Sequence, residues 1–185
     1  MVGSCIISNS VATHLVLESE QETKRFAQSV ARAYQNTLTS NKSLVVYLKG
    51  DLGAGKSFFS RAFIQSFLPD QKVKSPTYTI VESYQTPFTT VHHFDLYRLC
   101  DPEELEYLAI RDLLTEPSVA LVEWPQKGEG VLPEADVLID LQHLSDVNGE
   151  MSDTMGDQVR GVDVSAHTEV GKQLLEQVFK DVLKK

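Results

Sequence analysis

From residue 19 onward the apolar positions fall on one face of a helix. Phe26, Val30, Ala33, Tyr34 and Leu38 recur at i, i+4, i+7, i+8 and i+12, behind a Ser19–Glu22 pair that fits a capping box. The period then changes. Leu44-Val45-Val46-Tyr47-Leu48 is a short apolar, β-branched run that reads as a buried central strand. Phe58 to Phe67, stopped by Pro69, reads as a helix. Thr79 to Tyr84 and Thr89 to Asp95 are β-prone and separated by a turn containing Pro87, so they predict two neighbouring antiparallel strands. Asp101-Pro102-Glu103-Glu104 combines a cap residue, an early proline and first-turn acids, which predicts a helix start. Val119 to Glu123 and Val137 to Leu141 read as further buried strands, and Ser145 to Gln158, polar and glycine-containing, marks a mobile loop over 143–160. Val170, Leu174, Val178 and Val182 form the stripe of a last helix over 168–184.

Strands interleaved with helices predict a three-layer α/β fold around a mixed, mainly parallel sheet, in one domain spanning 1–185. Composition changes this picture little: 42% apolar and 23% charged residues are ordinary for a globular protein. Charge changes it more. The formal net charge of -9 disfavours tight contact with a nucleic-acid backbone by this chain alone, while leaving a local phosphate site possible. Two cysteines, Cys5 and Cys100, make neither a disulfide framework nor a metal-ligand spacing. Residues 1–15 lack the basic lead and apolar core of a secretory signal, and a cytoplasmic protein is expected.

The sharpest chemical signal lies between the first strand read above and the helix after it. Gly50-Asp51-Leu52-Gly53-Ala54-Gly55-Lys56-Ser57 matches G-x-x-x-x-G-K-[ST], in the strand–loop–helix context the phosphate-loop mechanism requires. Gly53 and Gly55 free the backbone to turn successive N–H groups toward phosphates, and the helix N-terminus adds partial positive charge. Lys56 is expected to reach the β- and γ-phosphates, Ser57 to offer its hydroxyl to Mg2+, and Asp51, Leu52, Ala54 and Phe58 to complete the wrap around the nucleotide. The expected fold is therefore a P-loop NTPase.

A hydrolase of this type needs a carboxylate at the end of a neighbouring strand. Spacing leaves three candidates open: Glu123, Asp140 and Asp95. Lys74-Ser75-Pro76-Thr77 reads either as a plain turn or as a switch presenting Thr77 to the γ-phosphate. His14, His92 and His93 form no metal-ligand pattern and read as solvated or core histidines. The guanine-reading N-K-x-D segment is missing, since Asn41-Lys42-Ser43-Leu44 precedes the loop and lacks the aspartate. ATP is thus expected rather than GTP.

Five blocks in order extend the pattern: Gly-Asp-Leu-Gly-Ala-Gly-Lys-Ser at 50–57, Lys-Ser-Pro-Thr-Tyr-Thr at 74–79, His-Phe-Asp-Leu-Tyr-Arg-Leu at 93–99, Asp-Pro-Glu-Glu-Leu-Glu at 101–106 and Val-Glu-Trp-Pro at 122–125. Over about residues 15 to 142 the chain resembles the TsaE family, formerly YjeE. The resemblance implies a Mg2+-dependent ATPase, slow on its own, that supports TsaB and TsaD in forming threonylcarbamoyladenosine at position 37 of tRNAs reading codons that start with A. The tRNA would be met only through those partners. It also implies Glu123 as the metal partner of Ser57, Asp95 as the residue orienting water, Thr77 as a switch, Trp124 beside the site, and Thr23 near the adenine. Asp140 then falls back to a structural role. The chain departs from the family's usual pattern at Ser57 and Phe58, where threonine is common, and at Ala27, where glycine is usual.

The runner-up from another class is a small-molecule phosphotransferase built on the same loop. It would require an arginine-rich substrate site, whereas arginine is sparse outside Arg61, Arg98 and Arg111.

Overall fold

The computed structural model describes residues 12–37, 42–108, 110–114, 117–144 and 159–182. Of the loop expected over 143–160, residues 145–158 lie outside the described residues, as does Leu38 of the first apolar stripe, whereas its two ends, His143 and Arg160, belong to strands. In chain order the elements are β1 (Ala12–Leu17), α1 (Glu20–Thr37), β2 (Leu44–Lys49), α2 (Lys56–Gln65), β3 (Val81–Gln85), β4 (Thr90–Asp95), α3 (Glu104–Tyr107), α4 (Ile110–Leu113), β5 (Ser118–Glu123), β6 (Val137–His143), β7 (Arg160–Ala166) and α5 (Glu169–Val182). A short 3-10 turn, Pro125–Gly128, follows β5.

Among the described residues the strands form one seven-stranded sheet in the order β1-β7-β6-β2-β5-β4-β3. The central strands β6, β2, β5 and β4 are parallel, and β3, β7 and β1 add antiparallel pairs on either side. The mixed sheet is therefore parallel at its core, as its apolar runs imply: Leu44, Val46, Leu48 and all of β5 are buried. One sheet face carries α1, α2 and α5, with Phe26, Val30, Phe59, Phe63, Leu174 and Val178 packed on Val46, Leu121 and Ile139. The other is thinner, with Leu105 of α3 and Ile110 of α4 over Val45, Phe94 and Val122.

The expected capping box forms with one partner shifted, its return bond going to the residue before the cap. Glu22 takes its backbone N–H to Ser19 Oγ at 3.3 Å, and its carboxylate accepts the N–H of Glu18 at 2.8 Å. Three boundaries differ from the sequence reading. The helix after the loop starts at Lys56, so its first turn is part of the site. The strand expected from Thr79 starts at Val81, because the 76–80 turn closes with Ile80 N–H on the Pro76 carbonyl and leaves Ile80 at φ 66°. Asp101 does cap, its carboxylate taking the N–H of Glu103 at 2.9 Å, but regular helix begins only at Glu104.

Two strands carry too weak a periodicity to read from sequence. In β1, Val16 is exposed although apolar, and β7 opens on Arg160 and Gly161. Both are fixed by pairing: β7 inserts between β6 and β1. Asp136 fastens α5 to this side of the sheet, accepting the N–H of Val45 at 2.8 Å and the hydroxyl of Thr168, which in turn caps Gly171. Gly171 packs so closely that a Cβ there would stand 2.0 Å from the Asp136 carbonyl oxygen.

Candidate nucleotide site

The site is assembled where the parallel strands β2, β4 and β5 end, the position at which open α/β sheets present ligands. In register, Asp95 lies beside Glu123 and Leu48 on the other side of it. The loop after β2 then turns back through glycines in the left-handed region: Gly50 at φ 129°, Gly53 at 83° and Gly55 at 108°. At Gly50 the constraint is also steric, since a Cβ would sit 2.2 Å from the Leu141 carbonyl oxygen.

Leu52, Gly53, Gly55, Lys56, Ser57, Phe58, Ser75, Thr77, Asp95, Tyr97, Glu123 and Trp124 line a single cavity of about 440 Å³. Ten of the sequence-predicted site residues meet there. Three do not line it. Asp51 is exposed at the back of the loop and presents its carbonyl inward. Ala54 is buried under the loop. Thr23 is buried in α1, its hydroxyl on the Ser19 carbonyl at 3.3 Å. Asp140 is not at a strand end, because β6 continues to His143.

Lys56 is folded onto its own loop. Its ammonium donates to the carbonyls of Gly50 at 2.7 Å and Asp51 at 2.8 Å, and lies 3.9 Å from the centre of the Trp124 ring. Burial pushes its pKa below the usual lysine value, opposed by the carboxylates of Glu123, Asp95, Asp51 and Asp140. Trp124 takes a left-handed backbone, φ 59° and ψ 48°, immediately after β5, and its ring tilts against Tyr97.

Glu123 is buried and fully engaged. Ser57 Oγ donates to Oε2 at 2.7 Å, and Ser60 Oγ, one turn on along α2, shares its proton between the Lys56 carbonyl at 3.1 Å and Oε1 at 3.3 Å. His93 Nε2 stands 2.7 Å from the same Oε1. Asp95 is held as tightly. Its Oδ2 accepts Ser75 Oγ at 2.5 Å and Thr77 Oγ1 at 2.8 Å, and its Oδ1 accepts the N–H of Tyr97 at 3.1 Å.

This donor set suits a hard cation. Ser57 Oγ and Glu123 Oε2 are neighbouring oxygens, and among the described residues no group of three His, Cys, Asp or Glu gathers to hold a softer metal. Two protein oxygens completed by phosphate and water are how Mg2+ is commonly held.

Four contributors escape the sequence reading. Ser75 lies in a quoted block yet reads only as a turn residue. Ser60 reads as one more helix position. His93 is buried but engaged, unlike exposed His14 on Asp163 or His92 on Ser83. Arg160 of β7 donates from Nε to the Ala54 carbonyl at 2.8 Å and so anchors the loop from below. Its pKa is lowered by burial, with Glu20 opposing. His93 had one available signal, its place two residues before Asp95 on the same strand face; Arg160 had none.

Similar proteins extend the geometry. The model of the family described as "Threonylcarbamoyl adenosine biosynthesis protein TsaE" matches residues 17–151. A Haemophilus influenzae protein named tRNA threonylcarbamoyladenosine biosynthesis protein TsaE is 41% identical over 152 residues, 82% of this chain and 85% of that one. A Rickettsia bellii protein of the same name is 39% identical over 132 residues, 71% and 87% of the two chains. The crystal structure of YdiB from Bacillus subtilis superposes with a TM-score of 0.71 over 95% of this chain and 99% of its own, at 22% identity, and so bears on the fold alone. With the fold, the phosphate loop and these relatives in agreement, the chain belongs to the TsaE family.

Proposed function

We propose that the chain binds ATP with Mg2+ at the loop Gly50–Ser57 and hydrolyses it slowly, in support of TsaB and TsaD, within the threonylcarbamoyladenosine pathway for which its family is named. The observation that carries this reading is the meeting of Lys56, Ser57, Thr77, Asp95, Glu123 and Trp124 in one cavity at the ends of three parallel strands.

In this mechanism Lys56 leaves the Gly50 and Asp51 carbonyls for the β- and γ-phosphate oxygens. Ser57 and Glu123 would hold the Mg2+, which when bound would supply positive charge against that developing on the phosphates in the transition state. Asp95, held by Ser75, Thr77 and the Tyr97 N–H, orients the attacking water. Thr77 couples that carboxylate to the γ-phosphate, so the 75–80 turn senses whether ATP or ADP is present. Phe58 and Leu52 flank the nucleotide. Positioning and electrostatics carry the catalysis, as in phosphoryl transfer generally. The formal charge of -9 suits a protein that reaches tRNA only through its partners, in the cytoplasm. Among the described residues no helix is long and apolar enough to cross a membrane.

The test is ATP turnover by the purified protein with and without TsaB and TsaD, together with pull-down of the two partners under ATP, ADP and no nucleotide. Stimulated release of phosphate and nucleotide-dependent association are expected. No binding of ATP, or transfer of its phosphate to an added nucleoside or sugar, would reject the reading, the latter in favour of a kinase.

A further inference from the structure

His93 and Glu123 are 30 residues apart in sequence and are joined only by the sheet. Parallel pairing sets His93 beside Leu121, and Glu123, two residues further along the same face of β5, is its diagonal neighbour under α2. The pair is closed to solvent, with side-chain exposures of 0% for His93 and 2% for Glu123. A carboxylate oxygen 2.7 Å away requires a proton on Nε2. Nδ1 finds no hydrogen-bond partner among the described residues, so a bare lone pair there costs less than a stranded N–H.

Three hydroxyl or imidazole donors therefore divide the carboxylate. Oε1 is held chiefly by His93, with Ser60 sharing its hydroxyl proton between Oε1 and the Lys56 carbonyl, and Oε2 is left to face Ser57 and the cavity. We propose that His93 is a positioning residue for the metal site: it locks the carboxylate plane of Glu123 so that Oε2 alone is offered, as a single oxygen, to the cation. The proposal rests on Ser57 and Glu123 holding Mg2+. Outer partners of ligating groups commonly contribute 10- to 100-fold in metal affinity. Sequence gives His93 the look of a filler histidine; the geometry gives it a direction.

Two measurements on the full chain test it. In the first, 15N NMR of the side-chain imidazoles, assigned by the signal lost in His93→Gln, should find His93 protonated at Nε2 and bare at Nδ1. The opposite tautomer would overturn the proposal. In the second, the Mg2+ concentration that half-maximally tightens binding of a non-hydrolysable ATP analogue is read from Trp124 emission. Gln places its amide nitrogen near the position of Nε2 and should keep the wild-type midpoint. Asn, too short to reach Glu123, and Leu, without a donor, should raise it at least about tenfold while leaving binding in EDTA unchanged. Equal midpoints in wild type and whichever of these two variants melts cooperatively would overturn the proposal, as would a shift in Gln as large as in Asn. If wild-type binding ignores Mg2+, the metal reading itself fails and the proposal with it. If wild type responds and the variants follow it, only the role of His93 fails.

Discussion

Lys56 keeps its ammonium 3.9 Å from the centre of the Trp124 ring while donating to two carbonyls of its own loop. The residue that should grip phosphate is thus stored against the only tryptophan of the chain. ATP is expected to draw the ammonium away and change Trp124 emission saturably. Lys56→Ala should weaken binding at least about tenfold, since each charge-assisted hydrogen bond contributes about 1.5–3 kcal/mol. Fluorescence titration checks both outcomes, and unchanged affinity in the variant would sink the assignment.

Asp95 is fixed by Ser75, Thr77 and the Tyr97 N–H, none of them a phosphate group. Asp95→Asn should therefore lower single-turnover hydrolysis on the order of a hundredfold, with nucleotide affinity nearly retained. Thr77→Val should fall in the same direction and less far. Loss of binding without loss of turnover on bound ATP would argue that Asp95 holds the nucleotide rather than water.

Arg160→Met keeps the aliphatic bulk and removes the Nε–H that holds Ala54. The expected cost is about 1.5–3 kcal/mol of stability, read from urea unfolding, together with weaker ATP binding because the loop loses its lower anchor. A variant as stable as wild type and binding ATP equally well would show the contact to be incidental.

Much of this was legible in the sequence because the site is built from contiguous pieces. The phosphate loop carries its own strand and helix, and Asp95 and Glu123 end recognisable strand runs, while Thr77, in a turn with two readings, was singled out only by the family resemblance. What stayed hidden depends on pairing between distant segments. Arg160 opens a strand whose inward positions, Val162, Val164 and Ala166, are too few and too small to announce it, and that strand is buried only because β1 and β6 flank it. His93 looks like any lone histidine until the parallel register sets it diagonal to Glu123. The start of β3 was misjudged because nothing local reveals that Ile80 must take a positive φ.

Gly171→Ala should destabilise the protein although alanine is the better helix former. The added carbon would stand 2.0 Å from backbone oxygen of Asp136, which cannot swing aside as a side chain would. A loss of about 1–3 kcal/mol is expected from thermal or urea unfolding, with ATP binding by the folded fraction intact. A neutral or stabilising effect would mean that α5 does not seat as described.

Burial raises the phenol pKa of Tyr47 to about 12, and its hydroxyl donates to the Pro133 carbonyl. Because the folded value lies above the ordinary 10.0 of the unfolded chain, this contribution is intact below pH 10 and is lost as pH rises from 10 toward 12. The slope is at most about 1.4 kcal/mol per pH unit, reduced by partial exposure. Tyr47→Phe should flatten that limb of the urea midpoint plotted against pH; an unchanged limb would place the titration elsewhere.

The placing of β7 between β1 and β6 also sets a timetable for folding. His14 and its partner Asp163 are 149 residues apart, so β1 is synthesised early and finds its neighbour only after most of the chain has been made. Until then the loop lacks the Arg160 contact, and the outer side of β6 is an open edge. A nascent chain should thus complete the anchoring of its loop late, after a slow long-range closure.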